Sequence, residues 1–188
     1  AGTALAGATG LTLDGVPVAI ASNSATEIAF TTPAHAPGTV SVTVTTPGGS
    51  ASTSFTYVAA PGVTGVSPAS GPTAGGNSII LSGTDLAGAT GVTVDGIAAA
   101  ITANSGSSIT ITAPPHAAGT ATIVVTTAGG SAIGAYTYVA GPVISGVSPA
   151  VGPAAGGTNV TISGTGLSGA TSVTVDGAPV AFGSRRAP

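Results

Sequence analysis

The chain has 188 residues, of which 43% are hydrophobic and only 4% are charged, with a formal net charge of −3. Two basic residues are too few for a surface that binds nucleic-acid phosphates, and the absence of Cys excludes disulfides, zinc–thiolate sites and thiol nucleophiles. No apolar run approaches the roughly 20 residues that cross a bilayer, so we expect no membrane insertion.

The sequence repeats itself every 81 residues. The stretch GTALAGATGLTLDG from Gly2 returns as GTDLAGATGVTVDG from Gly83 and as GTGLSGATSVTVDG from Gly164. The copies align without an insertion, which is typical of tandem modules. The repeat fails at Gly183, where GSRRAP replaces the expected continuation.

A complete unit is predicted to form about seven short strands, because apolar residues alternate with Thr, Ser or Gly. No segment has helical periodicity. One face of each sheet is therefore expected to be buried and the other to be solvated, as in a two-sheet sandwich. The residues assigned to the buried face of the middle copy are Val92, Val94, Ile97, Ala99, Ile101, Ile109, Ile111, Ala121, Ile123, Val125, Tyr136 and Tyr138. Their counterparts in the first copy, which include Val16 and Phe55, are assigned to the same face.

Turn residues separate these strands. A broad bend is expected after the first strand, at Ser67-Pro68 and Gly75-Gly76. Asp95-Gly96 stands between two alternating runs and predicts a two-residue hairpin with a type I′ turn. Pro114-Pro115 ends the strand that carries Ile109 and Ile111, because proline cannot donate to a sheet.

These landmarks together resemble the IPT/TIG domain, an immunoglobulin-like sandwich of the early-set class. The residues that carry the resemblance are Ser67-Pro68, Gly71-Pro72, Gly75-Gly76, Gly83-Thr84, Pro114, Gly119-Thr120, Gly129-Gly130 and Tyr136-Thr137-Tyr138. The resemblance implies an all-β fold of tandem immunoglobulin-like sandwiches, one complete and two partial.

In this framing four segments are expected. Residues 1–60 form a partial sandwich without its first two strands, and residues 61–140 form a complete one. Residues 141–182 form the N-terminal half of a third unit, and residues 183–188, with Arg185 and Arg186, form a tail outside the repeat.

Half a sandwich leaves apolar rows in water, so we expect the chain to be part of a longer array. No signal peptide is visible after Ala1, which is consistent with a longer chain or with a removed leader. An alternative hypothesis uses the same observation: the third copy holds the strands that the first copy lacks. The tail of one molecule could then complete the head of another, in a head-to-tail self-association.

The reactive side chains are few and favour structural roles. His35 and His116 are one repeat apart and cannot share a metal ion. Asp14, Asp95 and Asp176 each precede Gly in a hairpin, where Asp tolerates a positive φ and bonds its own backbone.

The other residues that could belong to a functional site also have structural explanations. Asp85 is replaced by Ala4 and Gly166 in the other copies, which is typical of a variable loop. The Phe55/Tyr57 and Tyr136/Tyr138 pairs are expected to pack inside the modules. We therefore expect no catalytic, cofactor-binding or metal-binding residue, no cofactor and no enzymatic activity.

The resemblance implies a non-catalytic structural or adhesive spacer of a bacterial secreted or cell-surface protein, with protein or polysaccharide partners. Short joints that contain Pro61 and Pro142 are consistent with a semi-rigid rod. An accessory module of a secreted carbohydrate-active enzyme is the alternative. A dimerisation module of a transcription factor is disfavoured by the lack of basic residues.

Overall fold

The computed structural model describes residues 2–183, which form eighteen strands and no helix. The six strands of the first unit are β1 (Gly10–Leu13), β2 (Val16–Pro17), β3 (Ile20–Asn23), β4 (Ile28–Phe30), β5 (Gly38–Thr46) and β6 (Gly49–Tyr57). They form a sheet in the order β2-β1-β5-β6 and a separate β3-β4 pair.

The middle unit has eight strands, one more than the sequence predicts. They are β7 (Gly62–Ser67), β8 (Ser70–Pro72), β9 (Ser78–Thr84), β10 (Gly91–Val94), β11 (Ile97–Asn104), β12 (Ser108–Thr112), β13 (Gly119–Thr127) and β14 (Gly130–Val139). The additional strand is β8, which lies in the expected bend and pairs in parallel with β14. Its three residues have no alternating pattern, so they qualify as a strand only through this partner.

The third unit has four short strands in two separate pairs. They are β15 (Val143–Ser148), β16 (Thr161–Thr165), β17 (Thr174–Val175) and β18 (Ala178–Pro179). β15 pairs with β16, and β17 pairs with β18. The repeat ends at Gly183, which is also the last residue that the structure describes. The rest of the tail predicted for residues 183–188, including Arg185 and Arg186, lies outside the described residues.

Two sheets enclose the core of the middle unit. One contains β7, β9 and β12, the other contains β10, β13, β14 and β8, and β11 pairs with strands of both. Apolar side chains from both sheets are completely buried against one another, among them Ile79, Leu81 and Ile109 from one and Val94 and Ile123 from the other. The predictions of an all-β sandwich and of a buried apolar row are therefore confirmed for this unit.

The hairpins form as the Asp-Gly pairs predict. In each unit Asp and Gly both have positive φ angles, near 45–50° for Asp and 79–83° for Gly, as a type I′ turn requires. The role expected for the Asp carboxylate is wrong, however. Asp95 Oδ1 accepts a hydrogen bond of 2.7 Å from the Thr122 amide on β13, and Asp14 Oδ1 accepts the equivalent bond from Ser41 on β5. The carboxylate thus ties the hairpin to the neighbouring strand and not to its own turn.

Two groups of apolar residues are more exposed than predicted. Val16 and Ile97 directly follow the Asp-Gly turn, and their side chains are 60% and 44% exposed. The buried row of β11 therefore begins only at Ala99, although Val94, which pairs with Ile97 across the turn, is fully buried. Phe55 is 39% exposed, whereas Tyr136 at the same repeat position is fully buried. Residues 2–57 contain no counterpart of β7, β8 and β9, which cover Tyr136 in the middle unit.

Close packing around Tyr136 depends on a glycine. Asn77 Nδ2 donates a 2.8 Å hydrogen bond to the Tyr136 hydroxyl, and a Cβ on Gly71 would overlap that hydroxyl. The β8 backbone can therefore approach the tyrosine only without a side chain at position 71.

The joint between the first two units is also closely packed. The carbonyl of Ala59 occupies the position that a Cβ on Gly129 would take, in the turn between β13 and β14. Pro61, two residues further along the linker, is buried. The linker backbone thus packs against the middle unit.

We predict that Asp95→Ala lowers the free energy of unfolding of the middle unit by about 1–2 kcal/mol, because the Thr122 amide loses its charged partner and Ala tolerates a positive φ poorly. Asp95→Asn keeps an acceptor oxygen and should lose less. Chemical denaturation and exchange of the Thr122 amide measure the effect. Asp85→Ala is the control, since Ala4 adopts the same left-handed conformation in the first unit. An equal loss in that control would assign the effect to the backbone alone.

Gly71→Ala should destabilise the middle unit by about 1–3 kcal/mol through overlap with the Tyr136 hydroxyl. Tyr136→Phe removes the oxygen, so the double variant should lose clearly less than the sum of the two single variants. Thermal unfolding of the four proteins gives the coupling. Gly106→Ala is the control, because a Cβ there meets open space. Strictly additive losses would contradict the steric explanation.

Candidate binding surfaces

A loop histidine stacks on the last tyrosine of the first and middle units. The rings of His35 and Tyr57 are 4.9 Å apart, and those of His116 and Tyr138 are 5.0 Å apart. The Tyr138 hydroxyl donates to the Pro114 carbonyl at 2.7 Å, and the Tyr57 hydroxyl makes the same bond to Pro33. The two histidines therefore serve the same packing arrangement in separate units.

The middle copy of this arrangement also contains a carboxylate. His116 Nε2 lies 3.3 Å from Asp95 Oδ2, while its Nδ1 lies 2.9 Å from the Ala117 carbonyl. Since a carbonyl only accepts, a hydrogen bond to Ala117 requires the proton on Nδ1. Burial, and then the neighbouring Tyr136 and Asp95, raise the pKa of the Tyr138 hydroxyl above its ordinary value of 10.0, so it stays a neutral donor at neutral pH.

The third unit and the variable loop lack such clusters. Asp176 has the same turn conformation as Asp95, but the strand that would donate to its carboxylate has no counterpart in residues 142–183. Asp85, Ala4 and Gly166 all have a positive φ. What these three equivalent positions share is therefore a backbone conformation and not a chemical group.

The outer face of β5 and β6 carries an uncharged array of hydroxyl groups. Its members are Thr39, Ser41, Thr43, Thr45, Ser50, Ser52, Ser54 and Thr56, which we call the hydroxyl face. Hydrogen bonds of 2.8–3.0 Å join Thr43 to Ser52 and Thr45 to Ser50 across the two strands. A shallow groove lies over part of this face, and its lining includes Asp14, Thr39, Ser41, Ser52 and Ser54. The alternation in the sequence predicts only the solvated side of a strand, and the register between β5 and β6 joins these residues into one surface.

The corresponding face of the middle unit is not continuous. Val124 and Ile133 pair across β13 and β14 at the positions of Thr43 and Ser52, and Ile133 is largely exposed. The two units thus offer the same scaffold with different surfaces: hydroxyl groups on one and an apolar centre on the other.

Groups that would suit catalysis or metal binding are scarce in the described chain. Among residues 2–183 no three His, Asp or Glu side chains cluster as a metal site would need. Within the same residues there is no helix of the length and apolarity that a membrane span requires. The expectation that the chain has no catalytic, cofactor or metal residues stays a prediction.

Several solved structures resemble this fold. SGBP-B from a xyloglucan utilization locus of Bacteroides uniformis is 21% identical, with a TM-score of 0.37 over 71% of this chain and 42% of that chain. The plexin A4 extracellular region is 17% identical, with a TM-score of 0.45 over 70% of this chain and 15% of that one. The gamma-CGTase of alkalophilic Bacillus clarkii is 23% identical, with a TM-score of 0.37 over 68% and 17%.

This chain spans less than half the length of each of these three structures. Similarity at these identities and TM-scores carries no conclusion about a ligand or a role. A comparison with curated protein sequences gave no match.

The sequence profile of the IPT/TIG domain matches three segments, residues 1–57, 61–138 and 142–185. These segments follow the 81-residue repeat, and the middle one coincides with the closed sandwich of β7 to β14. The chain therefore belongs to the IPT/TIG domain family, as a tandem array of all-β, immunoglobulin-like units.

Proposed function

We propose that this chain is a non-catalytic structural and adhesive spacer of a bacterial secreted or cell-surface protein. The observation that carries the proposal is the packed joint between its first two units. A linker that lies against Gly129, with Pro61 buried, limits how one unit can move against the next. A packed joint within the 81-residue repeat holds the outer surfaces of the first two units at a fixed interval, which is what a spacer has to do.

Surface chemistry supports an adhesive role through weak and repeated contacts. The hydroxyl face has many donors and acceptors and no Lys or Arg, so it suits a neutral, hydroxyl-rich partner such as a polysaccharide. Single contacts of this kind compete with water and are weak. Repetition along an array raises the overall affinity without any new contact. An extracellular or cell-surface location suits such partners.

The alternative function, an accessory module of a secreted carbohydrate-active enzyme, draws on the same hydroxyl face. The two functions differ in what surrounds the unit and not in the unit itself. Specific binding to one polysaccharide favours the accessory module, whereas weak binding to many polymers, or to protein partners, favours the spacer. The flanking reading frame separates them directly, since an enzyme module requires a catalytic domain in the same gene.

Gly129→Ala should loosen the first joint, because the new Cβ would displace the Ala59 carbonyl from the turn between β13 and β14. We expect elastase to cut within residues 58–60 several-fold faster, and small-angle scattering to show a broader range of dimensions. Gly48→Ala is the matched control: it is the repeat equivalent of Gly129, and a Cβ there meets only Thr46 Oγ1, at 3.7 Å. Equal behaviour of the two variants would contradict a packed joint.

The double variant Thr43→Val/Ser52→Ile should lose binding to neutral polysaccharides such as xyloglucan or mixed-linkage glucan. The pair Val124 and Ile133 already occupies the same scaffold positions in the middle unit, so the fold should tolerate the change. Affinity electrophoresis measures binding. The reverse change, Val124→Thr/Ile133→Ser, should strengthen it. If the unchanged chain binds none of these polymers, the glycan part of the proposal is wrong, while the spacer role is tested separately at the joint.

A further inference from the structure

We propose that the middle unit resists tension applied through its two linkers, and that the parallel pair of β8 and β14 is its load-bearing contact. We call this pair, Ser70–Pro72 with Thr137–Val139, the clamp. The inference rests on the spacer role proposed above, because a spacer is pulled from both ends. It adds a mechanical property that follows from the strand topology of one complete unit.

The two linkers leave the middle unit at opposite ends of β14. The incoming linker lies at the start of this strand, where the Ala59 carbonyl packs against Gly129. The outgoing linker begins after Val139, the last residue of the strand. The 10 residues of β14 place these two points about 30 Å apart, at roughly 3.3 Å for each residue. Tension between the linkers therefore acts along the strands and not across them.

This tension loads the clamp in shear. β7 begins at Gly62, directly after the incoming linker, and leads through residues 68–69 into β8. Since β8 and β14 are parallel, tension pulls β8 back towards the incoming linker and β14 forwards towards the outgoing one. The hydrogen bonds between them run across the direction of sliding, so they must break together and not one after another. β7 itself pairs with β9 along its length, and the same tension loads that pairing in shear.

Two further hydrogen bonds close the clamp at its ends. The Thr137 amide donates to the Ala69 carbonyl at 3.0 Å, and the Thr73 amide donates to the Val139 carbonyl at 3.2 Å. Val139 is the residue from which the outgoing linker starts. Peeling of β14 from its C-terminal end therefore has to begin with the bond to Thr73.

Steric overlap opposes sliding within the clamp. Gly71 lies against the Tyr136 hydroxyl, and a Cβ at position 71 would overlap it. Because side chains alternate along a strand, a shift of β8 by one full pleat brings Ala69 or Thr73 to this place, and both have a Cβ. The tyrosine hydroxyl also accepts the 2.8 Å bond from Asn77 Nδ2, which holds it in position. The clamp therefore fits in the observed register and not in the next one along.

β7 also lies against a glycine where it crosses β14. A Cβ on Gly134 would come within 3.0 Å of Val66 Cγ2 and 3.3 Å of Val63 Cγ1, so both valines pack closely on the glycine. The next residues on that face of β14 are Ala132 and Tyr136, which both carry a Cβ. Sliding therefore moves the valines from a gap onto a side chain. The chain has no Cys, so no disulfide shares the load with these contacts.

Pulling single molecules of the full chain in two directions tests the clamp, because engineered cysteines can attach the handles at chosen positions in a chain that has no Cys. A60C/A140C applies tension through the two linkers, along the strands. A118C/A140C pulls apart the open end of the β13–β14 hairpin, where hydrogen bonds break one at a time. All three alanines are exposed. At equal loading rate we expect the middle unit to unfold at a several-fold higher force in the first geometry.

Thr73→Pro removes the amide that bonds to Val139. Thr73 is the second residue of a turn in which the Gly75 amide donates to the Pro72 carbonyl, a position that favours proline, so the fold should be kept. At constant tension through the linkers, the loss of one hydrogen bond should raise the unfolding rate about three- to tenfold.

Two control variants separate the clamp from general effects. Ala87→Pro places a proline before the positive-φ Gly88 of another turn, and the Ala87 amide bonds to no backbone group among residues 2–183. Asp95→Ala lowers the stability away from the clamp. Neither should raise the unfolding rate under tension as Thr73→Pro does. The proposal is wrong if both pulling geometries need the same force, or if either control changes the rate as much as Thr73→Pro. Such a result leaves the spacer role standing, since that role is tested at Gly129.

Discussion

The mutual burial of two apolar sheet faces is the interaction on which the rest of the structure depends. In the middle unit both sheets are present, and Ile79, Val94 and Ile123 have no contact with water. Few other stabilising groups are present, because the chain has no Cys and only 4% of its residues are charged. Burial of apolar surface and hydrogen bonds between backbone groups must therefore supply nearly all of the stability.

The two outer units show what happens when one face lacks its partner. In the first unit Leu11, Leu13, Val40 and Val42 are still buried, because residues such as Ile20 and Phe30 fold over them. The third unit has no buried residue within 142–183 and exposes valines along β15 and its neighbours. The same sequence pattern thus leads to a core, to a partial core or to a bare surface, depending on the strands available to cover it.

Much of this fold could be predicted from the sequence, because the repeat compares two or three versions of each strand. The Asp-Gly turns and the buried row of the middle unit follow from local patterns. Other features depend on distant partners. β8 exists only through its pairing with β14, and Phe55 is exposed only because no strand covers it. The bond from Thr122 to the Asp95 carboxylate joins residues 27 positions apart, so no short-range pattern could indicate it. The hydroxyl face was visible as alternation, but its continuity across β5 and β6 required the register.

The substitutions between repeats indicate where such a scaffold can acquire a function. Positions that form the core or the turns keep their character in every copy, since a change there affects packing or backbone conformation. Positions on the outer face change freely: Thr43 and Ser52 become Val124 and Ile133 without any shift in register. A sandwich of this kind separates stability, which the two inner faces supply, from recognition, which the outer faces supply. A tandem array can therefore vary what each unit contacts while it keeps the spacing between units.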